Sequence, residues 1–279
     1  MTQPDTLQND QFLKRLQFMR SITEHRTIGN YSKAYETWKR MQNLFRCVLS
    51  SLKPTGGDRT TKILDLGCGD GFFPFYLYYN LPAAKVEIHG MDLTELEVQF
   101  ARAFMAFARI PEQALQFSVG DATRTELESG SYDLVVCSEV LEHIPRPEEC
   151  FQEIFRIVRK GGTAIISTPN ARNPLRLAAG VVKRLMGRPP AAPEPEAEPG
   201  SPYPGHISVM TLKQMTDRAR AAGFRVAAIR RSSLLLGGPK MNAHPILFSL
   251  YLLVDRLLDW LPFCKQCTEN LTLVLKKDS

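Results

Sequence analysis

A glycine-rich turn at residues 67–71 is the strongest chemical signal in the sequence. A short apolar run over residues 63–66 leads directly into Gly67, Gly69 and Gly71. Glycine lets the backbone approach a ligand where a Cβ atom would clash, and a helix that begins after such a turn offers unpaired N–H groups. We therefore expect a cofactor at this turn. The fingerprint G-x-G-x-x-G of dinucleotide-binding dehydrogenases does not match, because the third glycine comes one position early.

Carboxylates at the ends of three apolar runs indicate which kind of cofactor this is. Asp65 precedes the glycines, and its negative charge suits a cationic sulfonium and an ammonium group better than a pyrophosphate. Asp92 lies 21 residues after Gly71, where Rossmann-type sites place the carboxylate that binds ribose hydroxyls. Asp121, followed by Ala122, is placed to meet an adenine amino group. Each aspartate alone could be a helix cap, but three in equivalent positions favour a nucleoside sulfonium.

Residues 138–143, S-E-V-L-E-H, are the candidates for chemistry on a substrate. His143 is a possible general base for an oxygen acceptor, although a histidine at this position is also often structural. A helical turn would bring Glu139, Glu142 and His143 onto one side, and His206 could approach from across the cleft. Carboxylates with imidazoles suit Mg²⁺, Mn²⁺ or Zn²⁺. These four side chains therefore form a candidate site for a divalent metal, most simply Mg²⁺.

Alternating elements must position these residues. Between Thr61 and Lys160, apolar runs of four to eight residues are each followed by helical periodicity, which predicts repeated strand–helix units and a parallel sheet. The predicted strands in this region are KILDLG, KVEIHGMD, LQFSVGD, YDLVVCSE and GTAIISTP. Further on, we predict a helix over 211–222 closed by Gly223, a strand FRVAAIRR, and a last strand over 270–275.

The combined motifs resemble those of the class I S-adenosylmethionine-dependent methyltransferase family, over residues 61 to about 230. The similar segments are D-L-G-C-G-D-G, the acid after the second strand, G-D-A, Y-D-L-V-V-C-S-E-V-L-E-H-I and R-K-G-G-T. The resemblance implies an α/β fold with a Rossmann-like seven-stranded sheet of order 3-2-1-4-5-7-6. In that sheet strand 7 is antiparallel and helices cover both faces.

The resemblance also implies S-adenosylmethionine as the cofactor and assigns its contacts. These are Asp65, Gly67, Gly69 and Gly71 at the methionine end, Asp92 at the ribose, Asp121 and Ala122 at the adenine, and Ser138 with Glu139 near the methyl donor. We include the neighbouring Cys68, Asp70 and Leu93 among the cofactor-binding candidates.

Within the family, the segment from the fourth strand to Gly223 is most similar to small-molecule O-methyltransferases, including ubiquinone-pathway enzymes. This implies methylation of a hydroxyl oxygen, with Glu139 and His143 as catalytic residues. The possible metal ligands also resemble those of the small-RNA 2′-O-methyltransferases, whose metal binds vicinal hydroxyls, but the wider motifs of those enzymes are missing here. N- or C-methylation of a small molecule, 2′-O-methylation of RNA ends and a non-catalytic cofactor-binding scaffold are the alternatives.

We divide the chain into an N-terminal helical lid over 1–58, which would close over the acceptor, and a cofactor-binding domain over 59–279. That domain carries an insertion at 170–205, basic and amphipathic in its first half and rich in proline and glutamate in its second. A second, apolar helical insertion covers 240–263; its uncharged run is too short for a membrane span and indicates packing, a homodimer interface or contact with a membrane surface.

Composition adds few constraints. The net charge of +6 is too mild to choose among nucleic acid, an anionic membrane and an acidic substrate. We expect a small-molecule acceptor and no DNA partner. The sequence opens without a signal peptide and its six cysteines form no disulfide-like framework, so we expect a cytoplasmic protein with possible peripheral membrane contact. Cys264 and Cys267 are interpreted as incidental thiols.

Overall fold

The sheet predicted from the motifs is present in a computed structural model of the chain. The structure describes residues 35–52, 59–81, 86–171, 205–231 and 270–278, with isolated positions between 250 and 268. The first predicted helix of the lid, nearly all of the insertion at 170–205 and most of the apolar segment at 240–263 lie outside the described residues. Within the described residues, no helix is long and apolar enough to cross a membrane.

Seven strands form one sheet with the order β3-β2-β1-β4-β5-β7-β6, which confirms the predicted topology. β7 is antiparallel to both of its neighbours, whereas β1 to β5 pair in parallel. The strands are β1 (Thr61–Leu66), β2 (Val86–Asp92), β3 (Leu115–Val119), β4 (Tyr132–Ser138), β5 (Val158–Pro169), β6 (Arg225–Arg231) and β7 (Asn270–Lys276).

Within the described parts of residues 35–231 and 270–278, five α-helices and one 3₁₀ turn connect or cover these strands. They are α1 (Tyr35–Ser51), α2 (Phe72–Asn80), α3 (Glu95–Phe107), the turn Leu141–His143, α4 (Pro147–Ile157) and α5 (Leu212–Ala221). α5 begins with a capping box, in which Thr211 and Gln214 satisfy each other's backbone N–H groups, and it is followed by Gly223 at φ +105°. Both ends of this helix therefore agree with the sequence prediction.

The sheet is covered on both faces because successive strand side chains point in opposite directions. Ile63 belongs to the core on the side of α1, α2 and α3, whereas its neighbour Leu64 belongs to the core on the side of α4 and α5. Phe75 and Phe104 are fully buried and meet edge to face at 4.4 Å on the first side. Helix α1, predicted as part of the lid, buries Leu44 and Val48 in that same core.

β5 begins four residues earlier than the predicted segment at 162–169. Val158 pairs with Tyr132, and the pairing becomes irregular before Leu134 meets Thr163. The glycines at 161 and 162 made the start of this strand difficult to predict, because glycine is depleted in strand interiors.

The remaining parallel strands end at one edge of the sheet, so the residues that follow them converge there.

Candidate active site

A cavity of about 270 Å³ lies at this edge, beyond the carboxyl ends of β1, β2, β3 and β4. Its lining combines the glycine turn with residues that follow the other three strands. The lining residues are Gly67, Gly69, Asp92, Leu93, Gly120, Asp121, Ala122, Glu139, Val140, His143 and Ile144. The structure therefore brings together candidates that lie up to 76 positions apart in the sequence, from Gly67 to His143.

The glycine turn lines the cavity with backbone that has positive φ angles. Gly67 and Gly69 have φ values of +79° and +53°, in the region that favours glycine. A Cβ atom on Gly67 would lie 2.2 Å from Val140 Cγ2, whereas one on Gly69 would meet no atom within 4 Å. Gly67 is thus required for close packing of the turn, and Gly69 borders open space where a cofactor can lie against the backbone.

Asp92 ties the turn to the second strand. Its Oδ2 accepts a hydrogen bond from Gly69 N at 2.7 Å, and its Oδ1 accepts one from Thr94 N at 2.9 Å. The residue is only 3% exposed, yet it lines the cavity. Each carboxylate oxygen can accept more than one hydrogen bond, and the backbone fixes the orientation in which this carboxylate lines the cavity.

We predict that Asp92→Ala weakens binding of S-adenosylmethionine about ten- to a hundredfold, because a hydrogen bond to a charged group contributes about 1.5–3 kcal/mol. Isothermal titration calorimetry on the purified chain measures this loss. Asp217→Ala, an exposed aspartate on α5, is the matched control and should keep the original affinity. An unchanged affinity of Asp92→Ala would reject the assignment of this carboxylate to the ribose.

Asp65 lies behind the glycine turn. It is 3% exposed, and burial, reinforced by the charge of Asp92, raises its pKa from 3.8 to about 8. Asp65 does not line the cavity, so it would influence a cationic cofactor through its charge and not through contact. A positively charged ligand bound in the cavity would favour the ionised form of this carboxyl group.

The raised pKa of Asp65 predicts a pH dependence of stability. Between pH 4 and pH 8 the native chain holds a proton on Asp65 that the unfolded chain releases, so this group makes the free energy of unfolding fall as pH rises. The slope reaches at most about 1.4 kcal/mol per pH unit. Urea denaturation from pH 5 to pH 8 should show a smaller decline for Asp65→Asn than for the original chain. Glu112→Gln, at an exposed position, should keep the original slope, and parallel curves for Asp65→Asn would contradict the prediction.

The predicted adenine side is more open. Asp121 is exposed, and its Oδ1 accepts hydrogen bonds from the backbone N and the Oγ1 of Thr123, at 2.7 and 2.8 Å. Leu93, which follows the second strand, lines the cavity with 61% of its surface exposed. Asp121 thus shapes its own turn while facing the cavity, and the adenine contact stays a prediction.

Several predicted contacts lie behind the cavity wall. Cys68 is buried, Asp70 accepts a hydrogen bond from Phe72 N at 3.2 Å, and Ser138 Oγ lies 2.8 Å from Ser167 Oγ. Gly71 has no room for a side chain, because a Cβ atom there would lie 2.8 Å from the ring of Phe117. The cavity lining therefore does not include Cys68, Asp70, Gly71 or Ser138, which support the turn and the fourth strand from behind.

Glu139 lines the cavity, but its carboxylate already has protein partners. Oε2 forms an ion pair with Arg40 Nη1 and accepts a hydrogen bond from Asn270 Nδ2, both at 2.9 Å, and Oε1 accepts a hydrogen bond from Ser167 Oγ at 3.1 Å. The backbone at Glu139 has a φ of +57°, which is uncommon for a residue other than glycine. These partners set Glu139 apart from the other predicted metal ligands.

Three of the four predicted metal ligands do come together. One ligand atom each from Glu142, His143 and His206 lies within 4.8 Å of the other two, and the two rings are 5.1 Å apart at their centroids. The segment carrying His206 is anchored here because Ile207 N and Ser208 N donate to the carbonyl of Glu142. Glu139 is not part of this group of three, so the metal site of four ligands stays a prediction of which the structure groups three members.

The burial and hydrogen bonding of the Glu142 carboxyl group are compatible with binding of a cation. Its side chain is almost completely buried; Oε2 accepts a hydrogen bond from Thr168 Oγ1 at 3.0 Å, whereas Oε1 has no partner within the described residues. Burial, and then the charge of Glu139, raises the pKa of Glu142 to about 8. An unpartnered buried carboxylate oxygen beside two imidazoles is a donor set that Mg²⁺, Mn²⁺ or Zn²⁺ would satisfy.

The sequence did not reveal several residues of this site. Val140 and Ile144 line the cavity beside His143, and their apolar character within the S-E-V-L-E-H-I motif was the available signal. Arg40 and Asn270 approach Glu139 from α1 and from β7, at distances of 99 and 131 positions along the chain. A periodic pattern carries no information about such contacts.

Comparison with known proteins agrees with this geometry. Residues 58–191 match a methyltransferase domain family. The ubiquinone biosynthesis O-methyltransferase of Photorhabdus laumondii is 31% identical over 119 residues, which cover 43% of this chain and 47% of that protein. The enzyme of the same name from Bordetella avium is 33% identical over 132 residues, covering 46% and 52%. The chain thus spans about half the length of these curated relatives.

The fold is shared with solved methyltransferase structures. The geranyl diphosphate C-methyltransferase of Streptomyces coelicolor superimposes with a TM-score of 0.53 at 10% identity, covering 85% of this chain and 79% of that one. At this identity the likeness concerns the fold alone. It supports the Rossmann-like sheet and leaves the acceptor to be argued from the site.

Proposed function

Because this chain carries a class I S-adenosylmethionine-dependent methyltransferase domain, we propose that it methylates a hydroxyl oxygen of a small molecule. The observation that carries this proposal is the cluster of Glu142, His143 and His206 next to the cavity. Glutamate and imidazole groups can hold a metal and an oxygen acceptor together. The O-methyltransferase names of the relatives support the same acceptor atom.

Methyl transfer requires alignment more than activation. The acceptor oxygen attacks the methyl carbon in line with the carbon–sulfur bond, the bond to sulfur breaks, and the acceptor proton leaves for a base or solvent. In the proposed arrangement Gly69 and Asp92 hold the cofactor against the sheet edge. His143, the one member of the cluster that lines the cavity, would face the acceptor oxygen.

The cluster would supply the acidity that a hydroxyl acceptor lacks. Glu142, His143 and His206 would hold a divalent metal, and such a metal would supply Lewis acidity that lowers the pKa of the acceptor hydroxyl. Glu142 offers its unpartnered Oε1 for this purpose. Two ligands from one turn and a third from the anchored segment 205–208 would leave positions open for the oxygens of the acceptor.

The test is to identify the methylated product directly. Cell extract incubated with the enzyme, Mg²⁺ and cofactor labelled in its methyl group should yield a small molecule that carries the label on oxygen, detected by mass spectrometry. Label on nitrogen or carbon, or in RNA, would replace the proposed acceptor with one of the alternatives. Cofactor binding without any labelled product would identify a non-catalytic binding protein.

We also propose that the acceptor is amphiphilic or that the chain binds transiently to an anionic membrane surface. Residues 175–186 combine apolar and basic residues at helical spacing, and residues 245–262 form a second apolar segment. Both segments lie almost wholly outside the described residues, so this part of the proposal depends on sequence alone. Internal packing or a homodimer interface is the competing explanation of the same pattern.

A liposome flotation assay separates these explanations. We predict that the full chain floats with vesicles containing anionic lipid and stays in the dense fraction with neutral vesicles, because lysines and arginines near an anionic surface contribute about 1 kcal/mol each. A variant with Lys183, Arg184 and Arg188 replaced by glutamine should lose this recovery. Equal recovery with both lipids, or none with either, would contradict the prediction.

A further inference from the structure

Glu139 holds a backbone conformation that its neighbours must stabilise. A residue with a side chain in the left-handed region costs about 1–2 kcal/mol relative to the right-handed region, and Glu139 has a φ of +57°. Its own N–H donates to Ser167 O at 2.9 Å, which connects it to β5. This strained residue stands immediately before the turn that carries Glu142 and His143.

The carboxylate of Glu139 is held by donors from three separate elements. Ser167 of β5 and Asn270 of β7 are neutral donors of hydrogen bonds to this carboxylate, and Arg40 of α1 forms an ion pair with it. Arg40 and Glu139 are 24% and 20% exposed, so solvent screens this pair only partly. A partly buried guanidinium–carboxylate contact is stronger than its neutral neighbours, which makes Arg40 the dominant partner.

We propose that Arg40 is a positioning residue, which fixes Glu139 and through it the segment that leads into the turn Leu141–His143. The turn passes this constraint on through short contacts, because His143 N donates to Val140 O at 3.0 Å. Its catalytic meaning rests on the proposed methyl transfer, in which Glu142 and His143 act. Glu139, expected from the sequence to be a catalytic and metal-binding residue, is thereby assigned to the support of those two.

Electrostatics favours the same arrangement. Glu139 and Glu142 are carboxylates three positions apart on one turn, and like charges at this spacing repel. Arg40 balances the charge of Glu139 and so weakens the repulsion between Glu139 and Glu142. The N-terminal helix would thus stabilise the metal-binding arrangement without touching the metal.

Hydrogen exchange on the chain alone tests this directly. Arg40→Met, which keeps length but removes charge and donors, should increase the exchange rates of the amides of Glu139 and His143 about tenfold. Arg46→Met, at an exposed position on the same helix, should leave both rates unchanged. Arg40→Lys should restore part of the protection, because it retains the charge without the planar fork. Unchanged rates in Arg40→Met would overturn the proposal.

A double-mutant cycle shows whether Arg40 acts through Glu139. Hydrogen exchange in the double variant Arg40→Met with Glu139→Gln should be no faster than in the more affected single variant. Independent roles would give additive effects and overturn the proposal.

In a turnover assay, Arg40→Met should lower kcat about tenfold and change the KM for S-adenosylmethionine less than twofold. If no acceptor is methylated but the exchange results hold, the proposed function fails and the positioning role stands.

Discussion

Glu142→Gln is expected to lower the rate of methyl transfer more than a hundredfold. Loss of a metal's Lewis acidity removes several kcal/mol of transition-state stabilisation, and about 1.4 kcal/mol corresponds to a factor of ten. His206→Ala should cause a comparable loss, because it removes the ligand that comes from outside the turn. Exhaustive EDTA treatment of the original enzyme should match these variants, and added Mg²⁺ should restore the original enzyme alone.

We expect the Glu142→Gln variant to fold and to keep the thermal stability of the original chain. The carboxyl group is buried and its pKa is raised to about 8, so it is mostly protonated at pH 7 and a neutral amide of the same shape replaces a neutral group. Glutamine can still accept the hydrogen bond from Thr168. A thermal melt by circular dichroism verifies this, and Glu112→Gln is the matched surface control. Full activity after EDTA, in the original chain and in both variants, would exclude the metal and leave His143 as the general base.

Two physical regularities made the fold predictable. Buried parallel strands appear as short apolar runs, and a glycine turn after the first run fixes where the parallel sheet begins. The order of the strands, in contrast, came from the family resemblance, since no local pattern shows that β7 lies between β5 and β6. Local signals also placed the start of β5 late, because Gly161 and Gly162 do not look like strand residues.

The candidate site was only partly predictable for a related reason. Asp92 and the glycines belong to one local motif each, and the geometry of parallel strands brings the motifs together. Arg40 and Asn270 depend on how α1 and β7 pack, which the sequence does not encode in any short window. Spacing alone predicted that Glu139 would join Glu142 and His143, and it could not reveal the ion pair that Glu139 forms with Arg40.

The sequence does not distinguish the three glycines of the turn. The structure shows that Gly67 and Gly69 differ in backbone conformation and in the space around a Cβ atom. At Gly67, a φ of +79° and a Cβ atom 2.2 Å from Val140 Cγ2 both oppose a side chain. At Gly69, a φ of +53° is the milder left-handed value and the space around the missing Cβ is open. Substitution by alanine should therefore separate stability from cofactor binding.

Gly67→Ala is expected to lower the free energy of unfolding by about 2–5 kcal/mol, the sum of backbone strain and overpacking. Gly69→Ala should lose only about 1–2 kcal/mol, the cost of the left-handed backbone. It should nevertheless weaken binding of S-adenosylmethionine about tenfold or more, because its methyl group projects into the space that the cofactor needs. Urea denaturation and calorimetry measure the two effects.

The double variant Gly67→Ala with Val140→Ala identifies the cause of the larger loss. Removing Val140 Cγ2 leaves the nearest remaining atom, Val140 Cβ, 3.4 Å from the new methyl group, so the steric part should disappear and the backbone strain should remain. Stability of the double variant should thus recover toward that of Gly69→Ala. If Gly67→Ala were as stable as the original chain, or Gly69→Ala bound the cofactor with unchanged affinity, this division of tasks within the turn would be wrong.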